Sequence, residues 1–245
     1  MTEFAELLPP TVVAHTTTRL DETGMTLEEV RCIASAVPAR RAEFATVRRL
    51  ARRSLRELGA LGDPAILPGA SREPLWPNGF VGSLTHCAGF AAAAVARSNR
   101  VVAIGIDAEP AVPLPGDVAD LVLGHEEREW LPSREPRWTS AVFSAKESVY
   151  KMWQPLTGGW LDFHDAAIRP VAGGFEATLS PRASRPGLPT AFRGRWTLHR
   201  GLWLTALAIG AEQLTPSRGS PHEPHPSVRT APADASRLPP PTAPE

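Results

Sequence analysis

The chain has 245 residues, in which 26 Lys and Arg balance 26 Asp and Glu. Zero formal net charge removes the bulk basicity of a non-specific nucleic-acid binder, and no run approaches the ~20 apolar residues of a membrane helix. An apolar content of 42% suffices for one large packed domain or two small ones.

The two cysteines, Cys32 and Cys87, stand in no CxxC or Cys/His ligand pattern. The opening MTEFAELLPP carries acids where a secretion signal carries bases. Both features predict a reduced, cytoplasmic protein. Among the 26 basic residues only Lys146 and Lys151 are lysines, and the single tyrosine, Tyr150, lies between them. An arginine-biased chain that keeps two lysines around Glu147 singles out that window, because a compact ammonium and a planar guanidinium do different work.

In chain order, residues 1–25 read as an extended lead-in with some strand. Thr26 is a helix N-cap with Glu29 as its capping-box partner, and Pro38 interrupts the helix they start. A second helix is predicted over about Ala39–Leu58, with Phe44, Val47, Leu50, Ala51 and Leu55 on one face and an arginine-rich polar face. Gly59 stops it, and residues 59–79, rich in Gly and Pro, read as loop. GSLTHC, Gly82–Cys87, reads as a short turn. The apolar runs Gly89–Ala96 and Val101–Ile106, separated by Ser98-Asn99-Arg100, read as an antiparallel hairpin. A helix over Val118–Leu131 and another over Trp138–Trp153 follow. Strands are predicted over 168–178 and 191–210, the latter folding back at Arg200-Gly201. A helix before a hairpin in each half hints at internal pseudo-symmetry. From Leu214 onward nine of 32 residues are proline, and such a tail buries too little apolar surface to order itself.

Four segments carry chemistry. At the end of the GIDAE strand, Asp107 and Glu109 point to the same side and repel unless a cation or proton joins them. Magnesium, which takes one or two carboxylates with waters and phosphate oxygens, suits the pair, although a solvated strand end carries such acids too. In FSAKESVYK, Phe143–Lys151, Glu147 and Lys151 share a helix face. They read either as a surface salt bridge or as a third carboxylate with ammonium groups beside a metal-bound pyrophosphate. Thr85 and His86 offer a hydroxyl and an imidazole to a phosphate. The arginine helix, with Arg40, Arg41, Arg48 and then Arg72, reads as a solvated face, an anchor for a ligand phosphate, or an RNA surface. The lack of interleaved aromatics counts against RNA.

Together, RRAEF (Arg40–Phe44) with Arg48, REPLWP (Arg72–Pro77), GSLTH, GIDAE, FSAKESVYK and PLTGGWLDFHDA (Pro155–Ala166) resemble the 4′-phosphopantetheinyl transferases of the larger, pseudo-dimeric type, which activate siderophore, peptide and polyketide synthases. The resemblance covers about residues 1–212. It implies an α+β fold of two pseudo-symmetric α/β subdomains, 1–112 and 113–212, with the active site in the cleft between them and a disordered tail over 213–245. It implies a cytoplasmic, monomeric enzyme that moves phosphopantetheine from coenzyme A to a serine of an acyl or peptidyl carrier protein and releases 3′,5′-adenosine bisphosphate. Asp107, Glu109 and Glu147 would hold Mg²⁺, and Lys146 and Lys151 would contact the pyrophosphate. Arg40, Arg41 and Arg48 would bind the 3′-phosphate region, and Arg72, Thr85 and His86 would complete the nucleotide pocket beside Asp107. Glu147 or Lys151 would be the base. A non-catalytic coenzyme A or carrier-binding module is the alternative on the same fold; an RNA binder and a magnesium-dependent phosphohydrolase are the others.

Overall fold

The computed structural model describes residues 3–87 and 89–214. The proline-rich tail expected to be disordered lies outside them, apart from its first two residues. There a 3₁₀ turn spans Ala211–Gln213 and Leu214 packs against the core, so the fold runs slightly past the expected end at Glu212. Among the described residues no helix is long and apolar enough to cross a membrane.

The N-terminal half places one long helix on a three-stranded antiparallel sheet. Helix α1 (Leu27–Ile33) starts with the expected capping box: the Glu29 N–H donates to Thr26 Oγ1 and the Thr26 N–H to Glu29 Oε2. Pro38 opens α2 (Pro38–Glu57) at its first turn, where a missing N–H costs no helical bond. The sheet has the order β1 (Val12–Thr17), β3 (Phe90–Arg97), β2 (Phe80–Cys87). The central strand, FAAAAVAR, is buried on both faces. Ala91, Ala93 and Val95 meet Val47, Ala51 and Leu55 of α2, while Ala92, Ala94 and Ala96 meet the next sheet. Small side chains on both faces let a helix and a second sheet approach one strand closely.

Two strand assignments differ from the sequence reading. GSLTHC is not a turn but most of β2, paired in register with β3 from Phe80↔Arg97 to Cys87↔Phe90. The expected hairpin of β3 with β4 (Val101–Pro110) does not form. Both edges of β3 are taken by β1 and β2, and β4 pairs antiparallel with β8 (Leu202–Gly210) in a separate five-stranded sheet, β4-β8-β7-β6-β5. By its ladder β4 therefore belongs with the C-terminal half, although it lies before the expected division at 112. On its other edge β4 meets β2 without a ladder. The Ile106 N–H donates to Ser83 Oγ (3.1 Å) and the Ala108 N–H to Thr85 Oγ1 (3.2 Å). Two hydroxyls thus satisfy buried backbone donors that a strand partner would otherwise take.

In the C-terminal half the helix expected over 118–131 is two pieces, α3 (Gly116–Val122) and α4 (His125–Trp130), broken where Leu123 and Gly124 are extended. Helix α5 (Trp138–Thr157) lays Val142, Ala145, Val149 and Met152 on the five-stranded sheet. The strands β5 (Ala166–Val171) and β6 (Gly174–Leu179) form one hairpin. The strands β7 (Ala191–His199) and β8 form the expected one, turning at Arg200-Gly201, both with positive φ.

The halves also share a buried device. Glu29 accepts from its own N-cap backbone (Thr26), from the Ile66 N–H and from Arg52 of α2 at 2.5 Å. Glu127 accepts from its N-cap backbone (Gly124), from the Ile168 N–H and from Lys146 of α5 at 3.0 Å. In each half a short helix presents one fully buried glutamate to a cation on the long helix. That repetition gives the pseudo-symmetry a physical content.

Candidate active site

Between the halves lies a cavity of about 690 Å³. Its position follows from one glycine. A Cβ on Gly105 would stand 1.8 Å from the Ser148 carbonyl oxygen, so only glycine lets α5 rest this close to β4. The alternation of β4 then sends Ile104, Ile106 and Ala108 into the core and turns Asp107 and Glu109 toward the cavity. On α5 the spacing brings Glu147, Tyr150, Lys151 and Gln154 to the same cavity.

Lys151 Nζ donates to Asp107 Oδ1 at 2.5 Å, and Thr85 Oγ1 donates to the same oxygen at 3.2 Å. Asp107 Oδ2 is buried without a hydrogen-bond partner. Burial, with Asp107 nearby, pushes Glu109 up to about 7, and burial raises Glu147 as well. Burial pulls Lys151 the other way, but Asp107, Glu147 and Glu109 outweigh it and its ammonium is held above the ordinary range. Beside them, burial and the two strand carboxylates push the Cys87 thiol up to about 11, which keeps it unreactive.

The α2 wall supplies positive charge. Six of its seven arginines pair with carboxylates: Arg40 with Glu43, Arg41 with Glu22, Arg49 with Asp21, Arg52 with Glu29, Arg53 with Glu57 and Arg56 with Asp63. Arg48 is the exception among the described residues. It is 6% exposed, lies over the Phe44 ring and donates only to the carbonyls of Ile66 and Phe44. Burial lowers it to about 10. A buried cation that faces a cavity and has no carboxylate paired to it is suited to an anion. Such pairing also leaves the helix little free charge for RNA. His86 stands between Arg40 (2.5 Å from Nε2) and Glu43, and burial lowers its pKa, so the neutral ring accepts from Arg40. Arg72 reaches the cavity from a loop where its own φ is positive.

The cavity thus gathers Asp107, Glu109, Glu147, Lys151, Arg40, Arg48, Arg72, Thr85 and His86. Two assignments are corrected. Lys146, one step round the helix from Glu147, is 2% exposed and donates to Val122 and Phe163 carbonyls and to Glu127, on the core side of α5. In this arrangement its ammonium is spent on the core and does not line the cavity. Arg41 pairs with Glu22 and lies outside the cavity lining. Thr85 keeps its place but changes its part: its one proton goes to Asp107, so in this arrangement it has none for a phosphate. Gln154 escaped the sequence reading, and Phe44 entered it only as part of an apolar helix face and the RRAEF motif; the i, i+3, i+7 spacing from Glu147 was the signal available for Gln154.

The three carboxylates do not close into a cage: among the described residues no cluster of three His, Cys, Asp or Glu is poised to hold a metal ion. Magnesium does not need one, since it keeps waters and takes the rest of its oxygens from substrate phosphates. An orphaned Asp107 Oδ2 beside a Glu109 raised by burial and then by Asp107 fits such a partial site.

Residues 28–96 match the family model described as the 4′-phosphopantetheinyl transferase N-terminal domain, and residues 103–186 that of the 4′-phosphopantetheinyl transferase superfamily. The chain is 46% identical to 4′-phosphopantetheinyl transferase Svp of Streptomyces mobaraensis, over 85% of this chain and 89% of that one. It is 42% identical to 4′-phosphopantetheinyl transferase PptT of Mycobacterium tuberculosis, over 85% and 98%. Enterobactin synthase component D of Salmonella typhi is 37% identical over 48% of this chain and 50% of its own.

Proposed function

Because the chain belongs to the 4′-phosphopantetheinyl transferase superfamily and is a transferase, we propose that it moves 4′-phosphopantetheine from coenzyme A to a serine of an acyl or peptidyl carrier protein. The observation that carries this reading is the single cavity in which an unpaired buried arginine and three carboxylates with a lysine face one another across the two halves. One wall suits a nucleotide phosphate and the other a pyrophosphate.

In this reading Arg48, with Arg40, holds the 3′-phosphate region, and Arg72 and His86 border the nucleotide. Asp107, Glu109 and Glu147 would hold Mg²⁺, which when bound neutralises pyrophosphate charge and stabilises the leaving phosphate. The carrier serine oxygen attacks the β-phosphorus of coenzyme A. The bond from that phosphorus to the bridging oxygen breaks, and 3′,5′-adenosine bisphosphate departs. The serine proton goes to a base. A buried carboxyl with a raised pKa is suited to that step near neutral pH, whereas an ammonium held charged by Asp107 is not. The contrast favours Glu147 as base and gives Lys151 the task of fixing Asp107 and neutralising phosphate.

The test is intact-mass spectrometry of apo carrier proteins of fatty-acid, polyketide and peptide type, incubated with the enzyme, coenzyme A and Mg²⁺. The expected outcome is a gain of one phosphopantetheine group on at least one carrier. No gain on any, with coenzyme A still bound, would sink the proposal. Release of adenosine bisphosphate without carrier modification would identify a hydrolase instead.

A further inference from the structure

One polar group in the cavity has no part in the chemistry above. Gln154 lies one turn beyond Lys151 on α5, lines the cavity and is only 7% exposed. Its Oε1 is buried with no hydrogen-bond partner, and among the described residues its side-chain amide makes no hydrogen bond at all. Burying an unpaired amide costs about 1–3 kcal/mol, and a methionine or leucine would fill the same volume without that cost. The next residue, Pro155, has no N–H to donate to the Lys151 carbonyl, so the usual helical bond of that turn is missing.

We propose that Gln154 is a specificity residue that hydrogen-bonds an amide of the pantetheine arm of coenzyme A. This rests on the transferase reading. The chemistry of the walls selects the arm over the phosphates. Oε1 is an acceptor, and phosphate oxygens at neutral pH offer it no proton, so a phosphate could use only the amide's N–H groups and would leave Oε1 unpaired. Of the charged groups that suit phosphates, Arg48 stands on the α2 wall and Lys151 Nζ is held at Asp107. The arm carries secondary amides, each with one N–H and one C=O, and a primary amide matches both at once. The adenine amino group is the other neutral donor in the ligand, and the test separates the two.

The experiment measures Mg²⁺-supplemented binding of coenzyme A and of 3′,5′-adenosine bisphosphate, which lacks the arm, to the full chain and to Gln154→Leu and Gln154→Met, by calorimetry. The expected result is coenzyme A affinity roughly tenfold weaker in both variants, with adenosine bisphosphate affinity within about twofold of wild type. Both ligand-free variants should melt no lower than wild type, since no hydrogen bond is lost. Equal weakening of both ligands places the contact on the nucleotide and overturns the proposal, as does unchanged binding of coenzyme A. A large drop in melting temperature would show that the amide serves the fold and would overturn it too. Wild-type protein that binds neither ligand refutes the transferase reading itself, and the present proposal with it.

Discussion

Replacing Lys146 by methionine distinguishes a structural lysine from a phosphate ligand. In the fold Lys146 neutralises Glu127, which is fully buried, and caps two carbonyls, of Val122 and Phe163. The variant keeps the volume and removes the charge, leaving the Glu127 carboxyl enclosed without its counter-charge. Breaking a buried pair by removing one partner costs about 3–5 kcal/mol. Glu127 still accepts from the Gly124 and Ile168 N–H groups, which places the loss near ~3 kcal/mol. With a urea dependence near the upper end for single domains, that lowers the unfolding midpoint by about 1 M. The assay is urea denaturation followed by tryptophan fluorescence, alongside coenzyme A affinity at low urea. The double variant Lys146→Met/Glu127→Gln should recover part of the loss, because a neutral amide is cheaper to enclose than an unpaired carboxylate. Unchanged stability with a ten- to hundredfold loss of coenzyme A affinity would refute the structural role and return Lys146 to the phosphates.

The other expectations concern the cavity itself. Glu109 rises from the ordinary 4.5 to about 7 on folding; the folded chain therefore holds its proton while the unfolded chain gives it up. The metal-free protein is expected to be most stable by this group below pH 4.5 and to lose that part between about 4.5 and 7. In Glu109→Gln that component of a pH-resolved melting profile should vanish, and an unaltered slope would count against the shift. Gly105→Ala sets a Cβ against the Ser148 backbone, which cannot swing away as a side chain can. A loss of about 3 kcal/mol, at the upper end for overpacking, is expected in thermal or chemical unfolding, and a neutral variant would show that α5 does not rest on β4 at this point. Arg48→Gln removes the one unpaired cation of α2 and should weaken coenzyme A roughly 10–100-fold while sparing the 3′-dephospho form. Equal loss for both ligands would move Arg48 off the 3′-phosphate.

Local order was legible in the sequence wherever neighbours in the chain decide it. The Thr26–Glu29 capping box, the helix expected from about Ala39, the apolar face of α5 and the Arg200-Gly201 turn all rest on contacts within a few residues, and residue type alone settles them. The same holds for Asp107 and Glu109, because strand alternation puts them on one side whatever the strand pairs with. Strand partners rest on distant residues. The β3–β4 hairpin is the cheapest local closure, yet β8 takes one edge of β4 and the hydroxyls of Ser83 and Thr85 satisfy the other. The chain order of an alanine-rich strand packed between a helix and a second sheet holds no sign of that.

The segment around Glu147 shows the same division within a single helix. Sequence alone marked it, through two lysines in an arginine-rich chain and their spacing around a glutamate. Helix geometry then separates Lys146 from Lys151 by about 140° (five residues at 100° each), but the period does not say which of two buried faces meets a cavity and which meets the core. Gly105 decided that by the side on which it admits α5, and Glu127, from a separate short helix, claimed Lys146. Composition and periodicity determine which side chains share a face. The desolvation of a charge, and hence what it does, depends on what the other half of the fold places opposite it.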